Sequence, residues 1–200
     1  MIRKEYSASA VKLPFWFMEF RKEVDLLNEG KTFQEIIKLS HEKNIFGAPT
    51  SAREKNICST VTARIKNFDP SFYPVFQNAD IATQKLFALS AVMAQDTLFF
   101  DFVYEVIREK MLLGTEEYSD ADIRIFFRDK QVQDEKAAKW TEYTLHRLGF
   151  AYKNYLLEAG MTDKGNTVRK IYRPVVDPAL EYWLVNHDMK QIAKAINGER

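Results

Sequence analysis

The sequence predicts a mainly α-helical, multi-helical protein that has an N-terminal three-helix unit and a C-terminal winged-helix-like part with one short β-hairpin. Apolar residues recur at the three- and four-residue spacing of helices along most of the chain, and capping residues precede these runs. Strand-like alternation occurs at residues 167–173, directly after turn-forming residues. With 200 residues, 46% of them hydrophobic, the chain can bury a substantial core. Its predicted units are residues 1–68, 69–118 and 119–200.

The first unit contains three predicted helices. Pro14 suits the first position of the first helix. Thr32 with Glu35 forms a capping-box pattern at the start of the second helix, and Ser51 with Glu54 forms another at the start of the third. The third helix has an apolar stripe, and its opposite face carries polar, mildly basic side chains suited to phosphates and base edges. These are Arg53, Lys55, Asn56, Ser59, Thr62 and Lys66. A plain three-helix packing unit with a solvated outer face is the alternative interpretation.

Two apolar helices are predicted in the middle of the chain, at residues 79–95 and 97–113. Pro70 and Pro74 precede them and are typical of a connector. Gly114 is expected to end the second helix, because glycine readily adopts the left-handed conformation of a C-terminal cap. We expect the aromatic side chains of these helices to form core rather than a ligand pocket.

The C-terminal part begins with a short helix that Ser119 caps and continues with a longer helix at residues 141–159. Gly160 is expected to end the longer helix before a turn and the strand. This order is that of a winged helix-turn-helix in which the longer helix is the recognition helix. Phe150 lies outside the buried stripe of that helix, so we expect final helices within residues 177–197 to cover it.

Basic and amide side chains of the C-terminal part suggest a second contact surface for a phosphate backbone. They are Arg147, Lys164, Asn166, Arg169, Lys170 and Arg173. Charge also segregates along the chain: residues 1–66 carry 12 basic and 8 acidic side chains, residues 67–135 carry 6 and 13, and residues 136–200 carry 11 and 7. Two basic ends around an acidic middle favour two nucleic-acid contact surfaces. A solvated edge hairpin, whose charges only prevent aggregation, is the alternative.

The sequence contains no recognisable catalytic motif. It has no glycine-rich phosphate loop, no G-x-S-x-G elbow and no H-E-x-x-H, and its three histidines are far apart. The single cysteine, Cys58, excludes an intrachain disulfide and suggests a reducing compartment. We therefore expect a cytoplasmic protein that is not an enzyme and needs no metal or cofactor. We expect it to act on neither a membrane nor a small-molecule substrate.

Four short elements of the sequence, taken in order, resemble the BrxA family of the BREX phage-defence systems. They are Tyr6-Ser7-Ala8-Ser9, Glu19, Asn44 and Leu157-Glu158-Ala159-Gly160. The resemblance implies a small, non-catalytic, mostly helical component, in a family likened structurally to the antitermination factor NusB. Such systems distinguish methylated host DNA from phage DNA and place the methyltransferase and ATPase activities on separate proteins. The resemblance thus implies a role in binding DNA or in scaffolding that machinery.

The leading hypothesis is a non-catalytic accessory protein of a BREX-type system that binds double-stranded DNA, mainly through phosphates. A second hypothesis is an adaptor whose acidic middle and aromatic surfaces dock a larger BREX subunit and which never contacts nucleic acid. A third is RNA binding in the manner of NusB. Sequence preference and oligomeric state do not follow from the residues.

Overall fold

A computed structural model describes residues 2–200 of the chain. Its first helices are α1 (Phe17–Asn28), α2 (Phe33–Lys43) and α3 (Ser51–Ile65). The three predicted N-terminal helices are therefore confirmed. Pro14 does not begin a helix, contrary to the prediction. The α1 helix starts only after Trp16, whose backbone is left-handed with a φ of 53°.

Capping residues set the starts of α2 and α3. The hydroxyl of Thr32 accepts from the backbone N–H of Glu35 at 3.2 Å, and the Glu35 carboxylate accepts from the backbone N–H of Thr32 at 2.7 Å. This capping box is confirmed. The predicted box of Ser51 and Glu54 is wrong, because Thr50 caps α3 instead. The carboxylate of Glu54 is buried and accepts hydrogen bonds from α2 and from the loop before α3.

The middle of the chain forms α4 (Phe72–Asn78), α5 (Ile81–Gln95) and α6 (Thr97–Leu112), with a π-helical turn within α6. The two apolar helices are confirmed, whereas α4 lies where the sequence predicts a connector. The connector is predicted from Pro74, because proline often interrupts helices. Pro74 occupies the first turn of α4, where a proline removes no intrahelical hydrogen bond.

The α5 and α6 helices meet at an angle of 115° and contribute to a continuous hydrophobic core. Side chains from the N-terminal and C-terminal helices pack into the same core. Among residues 2–200, no single helix is long and apolar enough to cross a membrane, and only this bent pair satisfies that test in combination.

The C-terminal part contains two short strands and further helices. In chain order these are β1 (Glu117–Ser119), α7 (Asp120–Gln133), α8 (Glu142–Glu158), β2 (Val168–Lys170), α9 (Pro178–Asn186) and α10 (Lys190–Asn197). Ser119 caps α7, and Gly160 follows α8 with a φ of 80°, as predicted. A mainly α-helical fold with one small antiparallel sheet is confirmed.

The predicted local hairpin is present only as a minimal pairing, with backbone hydrogen bonds from Asp163 to Lys170 and from Tyr172 to Met161, and its strand pairs mainly with a distant segment. The β2 strand pairs antiparallel with β1, with Arg169 opposite Tyr118. Between the two arms of the predicted hairpin, an isolated antiparallel bridge joins Thr162 to Ile171. Only residues 161–163 lie between Gly160 and the turn, which is too few for a full ladder. The β1 strand therefore supplies the partner for β2. We call residues 161–171 the wing.

The N-terminal segment is bound across the body of the protein by side chains of α3, α6 and α8. The hydroxyl of Tyr6 donates to the Asp101 carboxylate of α6 at 2.6 Å. The buried guanidinium of Arg64 on α3 and the hydroxyl of Tyr155 on α8 donate to backbone carbonyls of residues 13–15. Because the segment is bound from both α3 and α8, it holds these two helices in a fixed relation.

Candidate nucleic-acid interface

A groove of about 530 Å³ lies between α3 and α8, and residues 10–14 form one of its walls. Arg53 and Asn56 line it from α3, and Arg147 lines it from α8. The sequence predicts these residues on two separate contact surfaces. In the folded chain they share one concavity, which we call the α3–α8 groove.

The α3–α8 groove is predominantly basic. Lys12, Arg53 and Arg147 contribute positive charge to its lining, and Glu158 is the only carboxylate lining it in the part of the chain that the structure describes. Burial and the neighbouring carboxylate of Glu19 raise the pKa of Glu158, although nearby cations oppose this. The groove therefore suits an anionic partner.

The guanidinium groups of Arg53 and Arg147, which line the groove, contact uncharged groups of the protein. The guanidinium carbon of Arg53 lies 4.8 Å from the centre of the Trp16 ring. Arg147 donates to the backbone carbonyl of Val11 at 3.4 Å and to the hydroxyl of Tyr143 at 3.3 Å. These contacts orient the guanidinium groups without neutralising them, so their full positive charge faces the groove.

The remaining residues predicted on α3 do not line the groove. Lys66 lies at the far end of α3, with its ammonium 4.9 Å from the centre of an aromatic ring at the start of α2. Ser59 lines a neighbouring hollow, and Lys55 is exposed. The assignment of Thr62 to the polar face is wrong, since Thr62 is buried and donates to Glu23 at 2.5 Å.

The wing presents a separate set of polar groups. Lys164, Asn166 and Lys170 are exposed, and within residues 2–200 the two ammonium groups form no ion pair. Arg173 follows the wing and donates through its Nε to the backbone carbonyl of Asn197 at 2.7 Å. That bond ties its side chain to the end of α10.

Arg169 has a structural position that corrects its predicted role as a phosphate contact. It is only 6% exposed, and its Nη1 lies 2.8 Å from the carboxylate of Asp120. Lys153 of α8 binds the same carboxylate at 3.2 Å. Burial opposes ionisation of Asp120, but the hydrogen bonds from both cations outweigh it and lower the pKa of Asp120. The alternation of the strand turns Arg169 inward, so its guanidinium has no free face for a phosphate.

A second concavity, which the sequence did not reveal, lies between α7 and α8 and has a volume of about 210 Å³. Arg124 and Arg128 stand one turn apart at its rim, together with His146 and Lys153 of α8. Among the described residues, neither arginine forms an ion pair. The floor of this α7–α8 cleft is apolar and is formed by Ile123, Phe127 and Leu145. The i, i+4 spacing of the arginines was the available signal, but they lie within the acidic middle of the chain.

The wing, the cleft and the groove are neighbours along α8. Asp120 lines the cleft and binds Arg169 of the wing. His146 and Arg147 are consecutive residues of α8, and one lines the cleft while the other lines the groove. The cleft and the groove therefore lie on adjoining sides of α8, and the wing contacts a residue of the cleft.

Phe150 is not covered by the final helices, contrary to the prediction. Its side chain is 55% exposed and lines the α3–α8 groove. The N-terminal residues 10–14, rather than α9 or α10, lie on the other side of that groove. Nothing in the sequence pattern indicated this, because the N-terminal segment reaches α8 only through tertiary contacts.

No group of three or more histidine, cysteine, aspartate or glutamate side chains within residues 2–200 is arranged to hold a metal ion. The single cysteine, Cys58, is buried and reduced.

Comparison with known proteins identifies the family of this fold. The family model of BrxA matches residues 4–188. A BREX protein BrxA from Bacillus cereus (strain H3081.97) is 38% identical over 180 residues, which cover 88% of this chain and 89% of that protein. The crystal structure of an uncharacterized protein from Magnetospirillum magneticum shares the fold, with a TM-score of 0.81 and 15% identity over 98% of this chain and 100% of that chain. The family match and the relative together show that the chain belongs to the BrxA family.

Proposed function

We propose that this chain is a non-catalytic component of a BREX phage-defence system that binds double-stranded DNA, mainly through its phosphate backbone. Membership of the BrxA family and the name of the Bacillus cereus relative support the role in BREX. The region formed by the wing, the α7–α8 cleft and the α3–α8 groove is the proposed DNA-binding surface.

The observation that carries the proposal is the set of cations on this region that have no carboxylate partner. In the described residues, the side chains of Lys12, Arg124, Arg128, Lys164 and Lys170 form no ion pair. Lysine and arginine side chains that contact phosphates release condensed counterions, which supplies affinity without sequence specificity. Their distribution over the N-terminal segment, α7 and the wing suits an extended backbone better than a small anion.

The order of the C-terminal elements also supports the proposal. The chain runs through α6, β1, α7, α8 and β2, and β2 pairs back with β1. This is the order expected for a winged helix, in which α8 would be the recognition helix. The α8 residues Tyr143, His146 and Arg147 are exposed, as that role requires.

The test is the salt dependence of binding to a fluorescently labelled duplex, measured by anisotropy. The logarithm of the binding constant should fall linearly with the logarithm of salt concentration, by about 0.9 for each phosphate contact. Replacing both Lys164 and Lys170 with alanine should weaken binding and reduce this slope by about 2. The double change Arg124→Ala and Arg128→Ala should also weaken binding and reduce the slope by about 2.

A matched control replaces two lysines of α2, Lys38 and Lys43, which lie outside the groove, the cleft and the wing. This control should leave the slope unchanged. An unchanged slope in the variant that lacks Lys164 and Lys170 would show that the wing does not contact DNA. The absence of duplex binding at low salt would contradict the proposal as a whole.

A role as an adaptor for other BREX subunits is the second candidate, and one observation favours it. Ile125 and Val132 are 57% and 84% exposed on α7, two turns apart, within the acidic middle of the chain. Co-purification with another BREX subunit, lost on the double change Ile125→Ser and Val132→Ser, would support this role. RNA binding is separated from DNA binding by competing the labelled duplex with single-stranded RNA.

A further inference from the structure

The first half of α8 carries two exposed aromatic rings that do not belong to the core. Tyr143 is 70% exposed and Phe150 is 55% exposed. They lie two turns apart on the same side of the helix, because seven residues correspond to nearly two full turns. Arg147 lies between them, and its guanidinium carbon is 6.0 Å from the centre of the Tyr143 ring. This face therefore alternates aromatic and cationic groups.

Phe150 does not lie on a flat surface, since it lines the α3–α8 groove. The groove volume of about 530 Å³ falls within the roughly 300–1,000 Å³ of typical small-ligand pockets. The groove is therefore large enough to receive one molecular group of moderate size against the phenyl ring.

The polar lining of the groove identifies the chemistry of that group. Lys12, Arg53 and Arg147 supply positive charge, and the amides of Asn56 and Asn154 supply both hydrogen-bond donors and acceptors. Cations suit a phosphate, amides suit the edge of a base, and an aromatic ring suits its flat face. A nucleotide is the ligand whose parts match all three.

In an intact duplex the faces of the bases are covered by stacking, so Phe150 would find no surface to contact. A base becomes available only when it is unpaired or has been turned out of the helix. We infer that the α3–α8 groove receives an unpaired base of a DNA strand, which stacks on Phe150 while flanking phosphates bind Arg53 and Arg147. This inference rests on the proposed function, because the wing and the cleft would hold the adjoining duplex.

The experiment compares two fluorescently labelled probes by anisotropy: a fully paired duplex, and the same duplex with a single unpaired adenine at its centre. Stacking of one base on an aromatic side chain strengthens binding by about one order of magnitude or more. The protein should therefore bind the probe with the unpaired adenine roughly tenfold more tightly. Phe150→Ala should reduce the ratio of the two affinities to about one, because only the probe with the unpaired adenine presents a free base face to the ring. Phe150→Tyr should retain the preference, because it keeps a ring.

Tyr182→Ala is the control, since Tyr182 is 74% exposed on α9 and does not line the groove. It should leave both affinities unchanged. Equal binding of the two probes by the unaltered protein would overturn the inference and leave the proposed function intact, with the ring then available to a protein partner. An equal loss of affinity for both probes in Phe150→Ala would also overturn it. Failure to bind either probe would contradict the proposed function, and the inference with it.

Discussion

Arg169 of β2 and Asp120 at the start of α7 form an ion pair, with 2.8 Å between Nη1 and Oδ1. Lys153 of α8 binds the same carboxylate at 3.2 Å. One carboxylate thus joins the wing, α7 and α8. The orientation of the wing relative to the proposed recognition helix depends on this junction.

Arg169→Ala should lower the free energy of unfolding by about 1.5–3 kcal/mol, the usual value for a hydrogen bond to a charged group. The neighbouring Lys170 is exposed, so Lys170→Ala should change that free energy by less than about 0.5 kcal/mol. Urea unfolding followed by circular dichroism measures both. Lys170→Ala should nevertheless weaken duplex binding. If Arg169→Ala left stability unchanged, the structural role of Arg169 would be wrong.

Tyr6→Phe should destabilise the protein although it removes a single oxygen atom. The hydroxyl of Tyr6 donates to the buried carboxylate of Asp101 at 2.6 Å, and losing a hydrogen bond to a charged group costs about 1.5–3 kcal/mol. Tyr182→Phe is the matched control, because that ring is 74% exposed on α9. Thermal unfolding should show a lower midpoint for Tyr6→Phe alone. Equal midpoints for the two variants would contradict the role assigned to Tyr6.

Gly160→Ala should lower the free energy of unfolding by about 1 kcal/mol through backbone strain alone. The φ of Gly160 is 80°, a left-handed conformation that disfavours a β-carbon. No neighbouring atom lies within 4 Å of the position that the new methyl group would occupy, so steric crowding adds nothing. Gly160→Asn should lower the free energy of unfolding by less, because asparagine tolerates this conformation better than alanine does. Equal losses in urea unfolding for the two variants would contradict this account of the helix end.

Local signals in the sequence were sufficient to predict most helix ends. Thr32 and Ser119 each cap a helix through a backbone N–H three residues ahead. Such caps involve neighbouring residues only, so the sequence alone identifies them. The Ser51 prediction failed by one residue because Thr50 offers the same chemistry. Two adjacent hydroxyl residues leave the choice between them to the surrounding structure.

The candidate site was harder to predict, because its geometry comes from residues far apart in the chain. Arg169 was assigned to DNA by its charge, but its partner Asp120 lies 49 positions earlier. Arg53 and Arg147 were assigned to separate surfaces, although the N-terminal segment brings α3 and α8 together around one groove. The arginines of the α7–α8 cleft were hidden by the acidic residues around them in sequence. Local charge patterns suggest an anionic ligand, while tertiary contacts decide which cations stay exposed.

Glu23 should make the protein less stable as the pH rises through neutrality. It is fully buried, and only one of its carboxylate oxygens has a hydrogen-bond partner among the described residues. Burial raises its pKa from 4.5 to about 7, although Thr62 and Lys66 oppose the shift. The folded state therefore holds this proton more tightly than the unfolded state. Its stabilising contribution is complete below the unfolded pKa of 4.5 and is lost as the pH rises through about 7.

Glu23→Gln tests this linkage, because glutamine fills the same space and carries no charge. From the pKa difference, the variant should be more stable than the unaltered protein by up to about 3 kcal/mol near pH 8 and nearly equal to it near pH 4.5. The pKa of Asp96, raised by burial to about 6, falls in the same window, so the variant should remove only part of the pH dependence. Glu29→Gln, at an exposed position, is the control and should follow the unaltered protein. Urea unfolding at both pH values measures the difference, and a Glu23→Gln protein that is less stable at the higher pH would show that the buried carboxylate is stabilised by its surroundings.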